Sequence, residues 1–260
     1  MARSPSGESL LTRVDRILAS FGPDNPVRTV ADIARTAELP VATAHRLVHE
    51  LVELGYLERT ATRRVRLGVR LWELASRGSR ALGLREAAMP VMEDVHAVIG
   101  HHTQLAVRDG AEVLYLERLS TRGGSRNIIQ VAGRLPVHAC SSGIVLLAHA
   151  PVEEQEEVLA GTMARYTART PATPTALRRL LADTRRQGFV LADAFITEGA
   201  TGVAVPIRGP GDAVVAALSI VVPSGSGNAP AQISALLAAA RAISRALGAH
   251  PRLDADLTSL

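Results

Sequence analysis

VADIARTAELPVATAHRLVHELVELGYLERTATRRVRL, residues 30–67, is the stretch that decides how this chain folds. Val30, Ile33, Ala34 and Ala37 recur at helical spacing behind Thr29, and Ala44, Leu47, Leu51 and Leu54 recur again from about Val41, so two short helices are expected. Only a few residues separate them. Helices joined by so brief a turn cross steeply, and the small Ala34 lets the second approach the first closely, which is helix-turn-helix geometry. Upstream, Ser9 is placed to cap a helix carrying Leu10, Val14, Ile17, Leu18 and Phe21 on one stripe, and Gly22-Pro23 stops it. Downstream, Leu57 to Arg59 and Arg64 to Leu67 flank the polar turn Thr60-Ala61-Thr62 and read as a β-hairpin, with Val65 and Leu67 inward.

Packing the longer helix through its apolar stripe leaves Thr43, His45, Arg46 and His49 outward, the first three near its N-terminal end. That is the end of a recognition helix that reads base edges in a DNA major groove. Arg46 is the strongest candidate, because a guanidinium donates two hydrogen bonds to a guanine edge. The plainer alternative is a solvated polar face, which any amphipathic helix has. The hairpin shifts the balance, since Arg59, Arg63, Arg64 and Arg66 on it form a basic wing suited to phosphates or a minor groove.

The charge distribution agrees. Residues 1–82 hold 13 Arg against 9 Asp plus Glu, whereas residues 83–260 hold 16 of each, so the net charge of +4 lies in the N-terminal third. All 29 basic residues are arginine, the side chain suited to bidentate phosphate and base contacts. With 260 residues and 47% hydrophobic content, the chain can bury two cores. A single cysteine, Cys140, and the lack of a signal-like segment make the cytoplasm the expected compartment. The apolar runs near residues 213–222 and 233–243 fall short of the ~20 residues a membrane span needs.

Beyond a helix expected from Arg85 to about Val98, the pattern becomes mixed. Strands are expected at Thr103–Arg108 and Glu112–Leu119 around an Asp109-Gly110 turn, in an apolar run at Asn127–Val131, and at Gly188–Phe195, Gly202–Ile207 and Val214–Val222. Helices are expected at Ile144–Ala150, Thr175–Gln187 and Ala231–Leu247. This order implies an α+β domain with one antiparallel sheet flanked by helices. Ser141 and Ser142 open one of these helices, whose free N–H groups would stabilise a carboxylate without a buried cation; simple capping is the alternative.

Residues 30–75, ending RRVRLGVRLWELA, resemble the DNA-binding domain of the IclR family of bacterial regulators. GRLPVHACSSGIVLLA (133–148), ITEGATGVAVPI (196–207) and AALSIVVP (216–223) resemble the same family's GAF-like effector-binding domain. The resemblance spans nearly the whole chain. It implies an α/β multi-domain protein: a winged helix-turn-helix at 1–69, a linker helix at 70–84 around Trp72 that helps hold dimers or is a plain spacer, the effector domain at 85–250, and a tail at 251–260. One departure is Glu38, where this turn commonly has glycine in a left-handed conformation. The implied effector cavity involves Leu135, His138, Ala139, Cys140, Ser141 and Val221. Asp193 and Glu198 either orient a ligand hydroxyl or sit in solvent, and Ser219 partners either backbone or ligand.

Catalytic chemistry finds little support. His138 and Cys140 are one residue apart with no third orienting group, and His96, His101, His102, His138 and Cys140 lack any zinc-ligand spacing. There is no phosphate-binding Walker loop, and Gly199 and Gly202 lack the strand-turn-helix setting of a dinucleotide fold. The expectation is therefore a regulator without catalytic residues, metal or cofactor. It would bind double-stranded DNA as a homodimer or homotetramer and respond to a small organic effector, a carboxylate being one candidate class. Repression is favoured, although effector binding can physically drive either sign. The competing expectations are a DNA-tethered enzyme using Cys140 or His138, and an effector-independent DNA-binding dimer.

Overall fold

The computed structural model describes residues 8–120, 131–225 and 229–249. The chain divides after Leu82 into two compact units. In the first, α1 (Leu10–Ala19) is capped by the Ser9 hydroxyl, which accepts from the Thr12 N–H at 3.0 Å. After β1 (Val27–Arg28), Thr29 caps α2 (Val30–Thr36) in the same way through the Asp32 N–H, and α3 (Val41–Glu53) follows a turn of four residues. Then come β2 (Leu57–Arg59), β3 (Val65–Leu67) and α4 (Val69–Ser76).

The core of this unit is Ile17, Val30, Ile33, Ala34, Ala44, Leu47, Val48, Leu51, Leu57 and Val65. Three expected inward residues lie on the surface instead. Leu54 caps α3 beyond its last turn and is 59% exposed, and Leu67 lies at the open end of the hairpin at 46% exposed. Leu10, at the fraying first turn of α1, is likewise on the surface. Val48, which sits between the expected rows, is instead fully buried. The wing is a three-stranded antiparallel sheet ordered β1-β3-β2, because the two-residue β1 adds to the hairpin with Arg28 opposite Val65.

The second unit begins within α5 (Arg80–Ile99), which starts earlier than the apolar pattern suggested. It contains β4 (His102–Asp109), β5 (Glu112–Leu119), β6 (Arg134–Pro136), α6 (Ser141–Ala148), α7 (Val152–Ala160), α8 (Pro174–Gln187), β7 (Val190–Asp193), β8 (Ala200–Arg208), β9 (Val214–Pro223) and α9 (Ala229–Ala246). The six strands form one antiparallel sheet ordered β6-β5-β4-β9-β8-β7. One expected strand, Asn127–Val131, falls almost wholly outside the described residues. The α+β expectation holds, with helices covering both faces of the sheet.

Each face has its own core. Leu105, Val203, Val205, Leu218 and Ile220 turn toward α5 and α9, while Ala106, Tyr115, Ala204 and Ala217 turn toward α6 and α8, as the two-residue period of strands requires. All eight residues of α6 are buried, so this helix is apolar around most of its circumference and acts as the centre of its layer. Gly143 makes this possible. A Cβ there would lie 2.4 Å from the Val137 carbonyl oxygen, so only glycine lets α6 pack against the preceding loop.

Candidate functional site

On α3, His45, Arg46 and His49 are exposed and Thr43 is half-buried, so the four side chains line the face opposite Ala44, Leu47, Val48 and Leu51. They are not free in the same way. Arg46 Nη1 donates to Glu50 Oε1 at 2.8 Å one turn along the helix, and His49 Nε2 lies 3.6 Å from Glu53 Oε1. On the wing, Arg66 is paired with Glu58 of the adjacent strand at 2.7 Å, and Arg64 donates to the Val27 carbonyl at 3.0 Å, tying β1 to the hairpin. Arg59 and Arg63 are exposed and make no ion pair among the described residues. Arg63 stands in the hairpin turn with φ +59°, a left-handed position. The Glu38 turn between α2 and α3 is also left-handed, at φ +52°, in keeping with the departure noted from the sequence.

In the second unit a cavity of about 60 Å³ opens at the N-terminus of α6, several times the ~10–15 Å³ that one water requires. Of the sequence candidates, Leu135, Ala139, Cys140, Ser141 and Val221 line it. Phe195, Ile196 and Ala192 complete the apolar wall, while Gln104, Tyr115 and Thr197 add polar groups. Among the described residues no Asp, Glu, Lys or Arg lines this space. Gly202 forms part of its floor, where a Cβ would come 2.7 Å from Ser141 Oγ.

The remaining candidates sit elsewhere. His138 is buried outside the lining, with Nε2 3.0 Å from the Ala164 carbonyl oxygen and its ring 6.4 Å from that of Tyr166. Asp193 is held by Arg169, Thr201 and Ser224, and with the exposed Glu198 it borders a separate, open groove. Ser219 is fully buried just behind the cavity; it accepts from Ser142 Oγ at 2.9 Å and donates to Gln104 Oε1 at 3.3 Å. The sequence reading missed Gln104 and Tyr115. Both lie on strands whose alternation was legible, Gln104 directly opposite Ser219 and Tyr115 opposite Ala106, but face and pairing partner together were needed to find them.

The thiol of Cys140 is buried, and burial pushes its pKa up to about 11 against the opposing effect of the Tyr115 hydroxyl. Burial, and then the neighbouring Cys140, hold the Tyr115 phenol well above its ordinary range. At neutral pH both groups are therefore uncharged, and Cys140 is not a thiolate nucleophile. With no fixed charge among its described lining residues, the cavity can hold a small molecule by shape, by neutral hydrogen bonds and by the positive end of α6.

Comparison with known proteins agrees with both halves of this picture. Residues 10–61 match the IclR helix-turn-helix domain, and residues 79–245 match the model described as bacterial transcriptional regulator IclR C-terminal. The HTH-type transcriptional regulator XynR of Escherichia coli is 31% identical over 212 residues, covering 80% of this chain and 83% of that protein. The probable transcriptional regulator SauR of Cupriavidus necator is 29% identical over 213 residues, covering 81% and 84%. An IclR homolog from Microbacterium hydrocarbonoxydans, crystallised in complex with 4-hydroxybenzoate, superposes with a TM-score of 0.88 at 51% identity, covering 93% of this chain and all of that one. A reader and a sensor domain, each matched separately and both spanned by full-length relatives, place this chain in the IclR family of bacterial transcriptional regulators.

Proposed function

We propose that this chain works in the cytoplasm as a homodimer or dimer of dimers. It represses transcription from a pseudo-palindromic operator on double-stranded DNA until a small aromatic acid of the 4-hydroxybenzoate class fills the cavity. The observation that carries the effector reading is the charge-free cavity at the N-terminus of α6: apolar side chains suit a ring, and unpaired helix N–H groups suit a carboxylate. The acid bound by the relative at 51% identity has this chemistry. Reader (1–69), linker (70–84), effector domain (85–250) and tail (251–260) are the working divisions, with the compact units parting at Leu82 inside the linker.

Dimerisation is supported by α4. None of its residues is buried within the chain, yet Val69, Trp72 and Leu74 are exposed on it at 68%, 67% and 39%. Val69 and Trp72, three residues apart, share one face of the helix, an exposed apolar pair that a second copy is expected to cover, and two half-sites require two readers. Trp72→Glu should shift the protein to monomer in sedimentation velocity, and an unchanged dimer would remove α4 from the interface.

The Cys140 and His138 enzyme reading is disfavoured by the protonated thiol and by the carbonyl that holds His138. The deciding experiment is a gel shift with DNA from upstream of the protein's own gene, against random competitor, with and without 4-hydroxybenzoate. Selective retention that the acid relieves, with the acid recovered unaltered, is the expected result. Retention that the acid leaves unchanged, or conversion of the acid, would refute the proposal.

A further inference from the structure

Gln104 sits in the middle of the sheet and is 1% exposed. Its two amide atoms have different fates. Oε1 accepts from Ser219 Oγ, which accepts in turn from Ser142 Oγ in the first turn of α6. In this relay Ser142 donates to Ser219 and Ser219 to Gln104, with the amide turned so that Oε1 faces the Ser219 hydroxyl. Nε2 is left as a buried donor with no protein partner, the sole such side-chain atom among the described residues of the cavity wall. A buried donor left unmade is costly to a fold and is seldom retained without a use.

We propose that Gln104 selects the effector's acid group, its Nε2 donating to a carboxylate oxygen that the N-terminus of α6 also faces. Two separate features converge on one acceptor. The helix supplies free backbone N–H groups at Ser141 and Ser142, and the relay from Ser142 brings the Gln104 amide to the same end of that helix. Ser219 is then a positioning residue, acting on the ligand through Gln104. This assignment rests on reading the cavity as the effector site, and it adds the discriminating contact: an acid is accepted because an orphaned donor awaits it, and a ligand presenting a donor there is rejected.

Titration calorimetry of the full-length protein with 4-hydroxybenzoate and 4-hydroxybenzamide tests it. The wild type should prefer the acid. Gln104→Met, similar in volume, removes the donor and should weaken the acid by about 10- to 100-fold while changing the amide little. Gln104→Glu keeps an acceptor for Ser219 and should lower the acid-to-amide ratio by at least about tenfold. A purely structural role for Gln104 would weaken both ligands together. Wild type that binds the acid, with an unaltered acid-to-amide ratio in both variants, would overturn the assignment and leave the cavity reading intact. Wild type that binds neither ligand would overturn the effector reading and this assignment with it.

Discussion

Arg46→Ala and Arg63→Ala should separate base reading from backbone grip. In the free chain Arg46 is held by Glu50 at 2.8 Å, with side chains 58% and 46% exposed. An exposed i,i+4 pair contributes only ~0.3–0.5 kcal/mol. A bidentate guanine contact discriminates by ~1–3 kcal/mol, so the base contact should win and Arg46 is expected to leave Glu50 on docking. Its removal forfeits the difference, about 0.5–2.7 kcal/mol or roughly 2- to 100-fold, on the specific site, with little effect on random DNA. Arg63 has no such rival and stands in the turn of the wing, where a phosphate contact is expected. Its removal should weaken both DNAs alike and reduce the salt slope by about one. Glu50→Gln should act in the opposite direction, freeing Arg46 and removing a negative charge, and tighten binding by about twofold. Fluorescence anisotropy with the upstream fragment and a random duplex, across a salt series, reads all three. Equal losses on the two DNAs for Arg46→Ala would refute the assignment of α3 as the base reader.

Gly143→Ala drives a Cβ to 2.4 Å from the Val137 carbonyl oxygen and 2.5 Å from its Cα, where neither backbone can move freely. It should lower the free energy of urea unfolding by ~1–3 kcal/mol or more, and an unchanged midpoint would show that the loop yields. Cys140 is raised from 9.0 to about 11, so between those values the folded state binds more protons than the unfolded one. The stability it contributes is intact below pH 9 and lost as pH rises towards 11. A shift of this size corresponds to a few kcal/mol, on the order of 1 kcal/mol per pH unit. Wild type should therefore lose stability over that range more steeply than Cys140→Ala, and parallel curves would contradict the burial argument. Glu38→Gly relieves a left-handed backbone at φ +52° but gives up the 3.8 Å pair with Arg16 and loosens the unfolded chain. A net gain of up to ~1 kcal/mol is expected in the same assay, and a loss would mean that the pair outweighs the strain.

The reader was legible because its signals are local. Caps, helical stripes and turn residues lie within a few positions of one another, and Ser9, Thr29 and the inward Val65 act as their sequence implies. The errors there occur at element ends, where Leu54 and Leu67 continue an apolar pattern after the backbone has left the core. The sensor was legible as strands and helices but not as a cavity. Its wall brings together β4, β5, β6, β7, β8, β9 and the start of α6, residues as far apart as 104 and 221. Periodicity fixes which residues share a face of one strand. It does not say that Gln104 stands opposite Ser219, and that pairing is what exposes the orphaned amide. Short elements such as β1 and β6 carry too few residues to show a period at all.

The absence of charge among the described residues of the cavity wall bears on how a sensor of this kind can switch. A buried arginine would bind a carboxylate strongly, but it would remain a desolvated, unpaired cation whenever the cavity was empty, and the empty state would be destabilised. Neutral donors avoid that cost. Each hydrogen bond from a neutral donor to an ionised acid contributes ~1.5–3 kcal/mol, and turning a 1:99 population into 99:1 requires ~5.5 kcal/mol of differential affinity. Two or three such bonds, made in only one of the two conformations, give ~3–9 kcal/mol, a range that brackets this requirement. The Gln104 amide and the N–H groups at Ser141 and Ser142 supply that number, and the protonated Cys140 and Tyr115 add no negative charge to oppose them. If the cavity takes an acid as proposed, the sensor can stay folded when empty and still be switched by a ligand held without an ion pair.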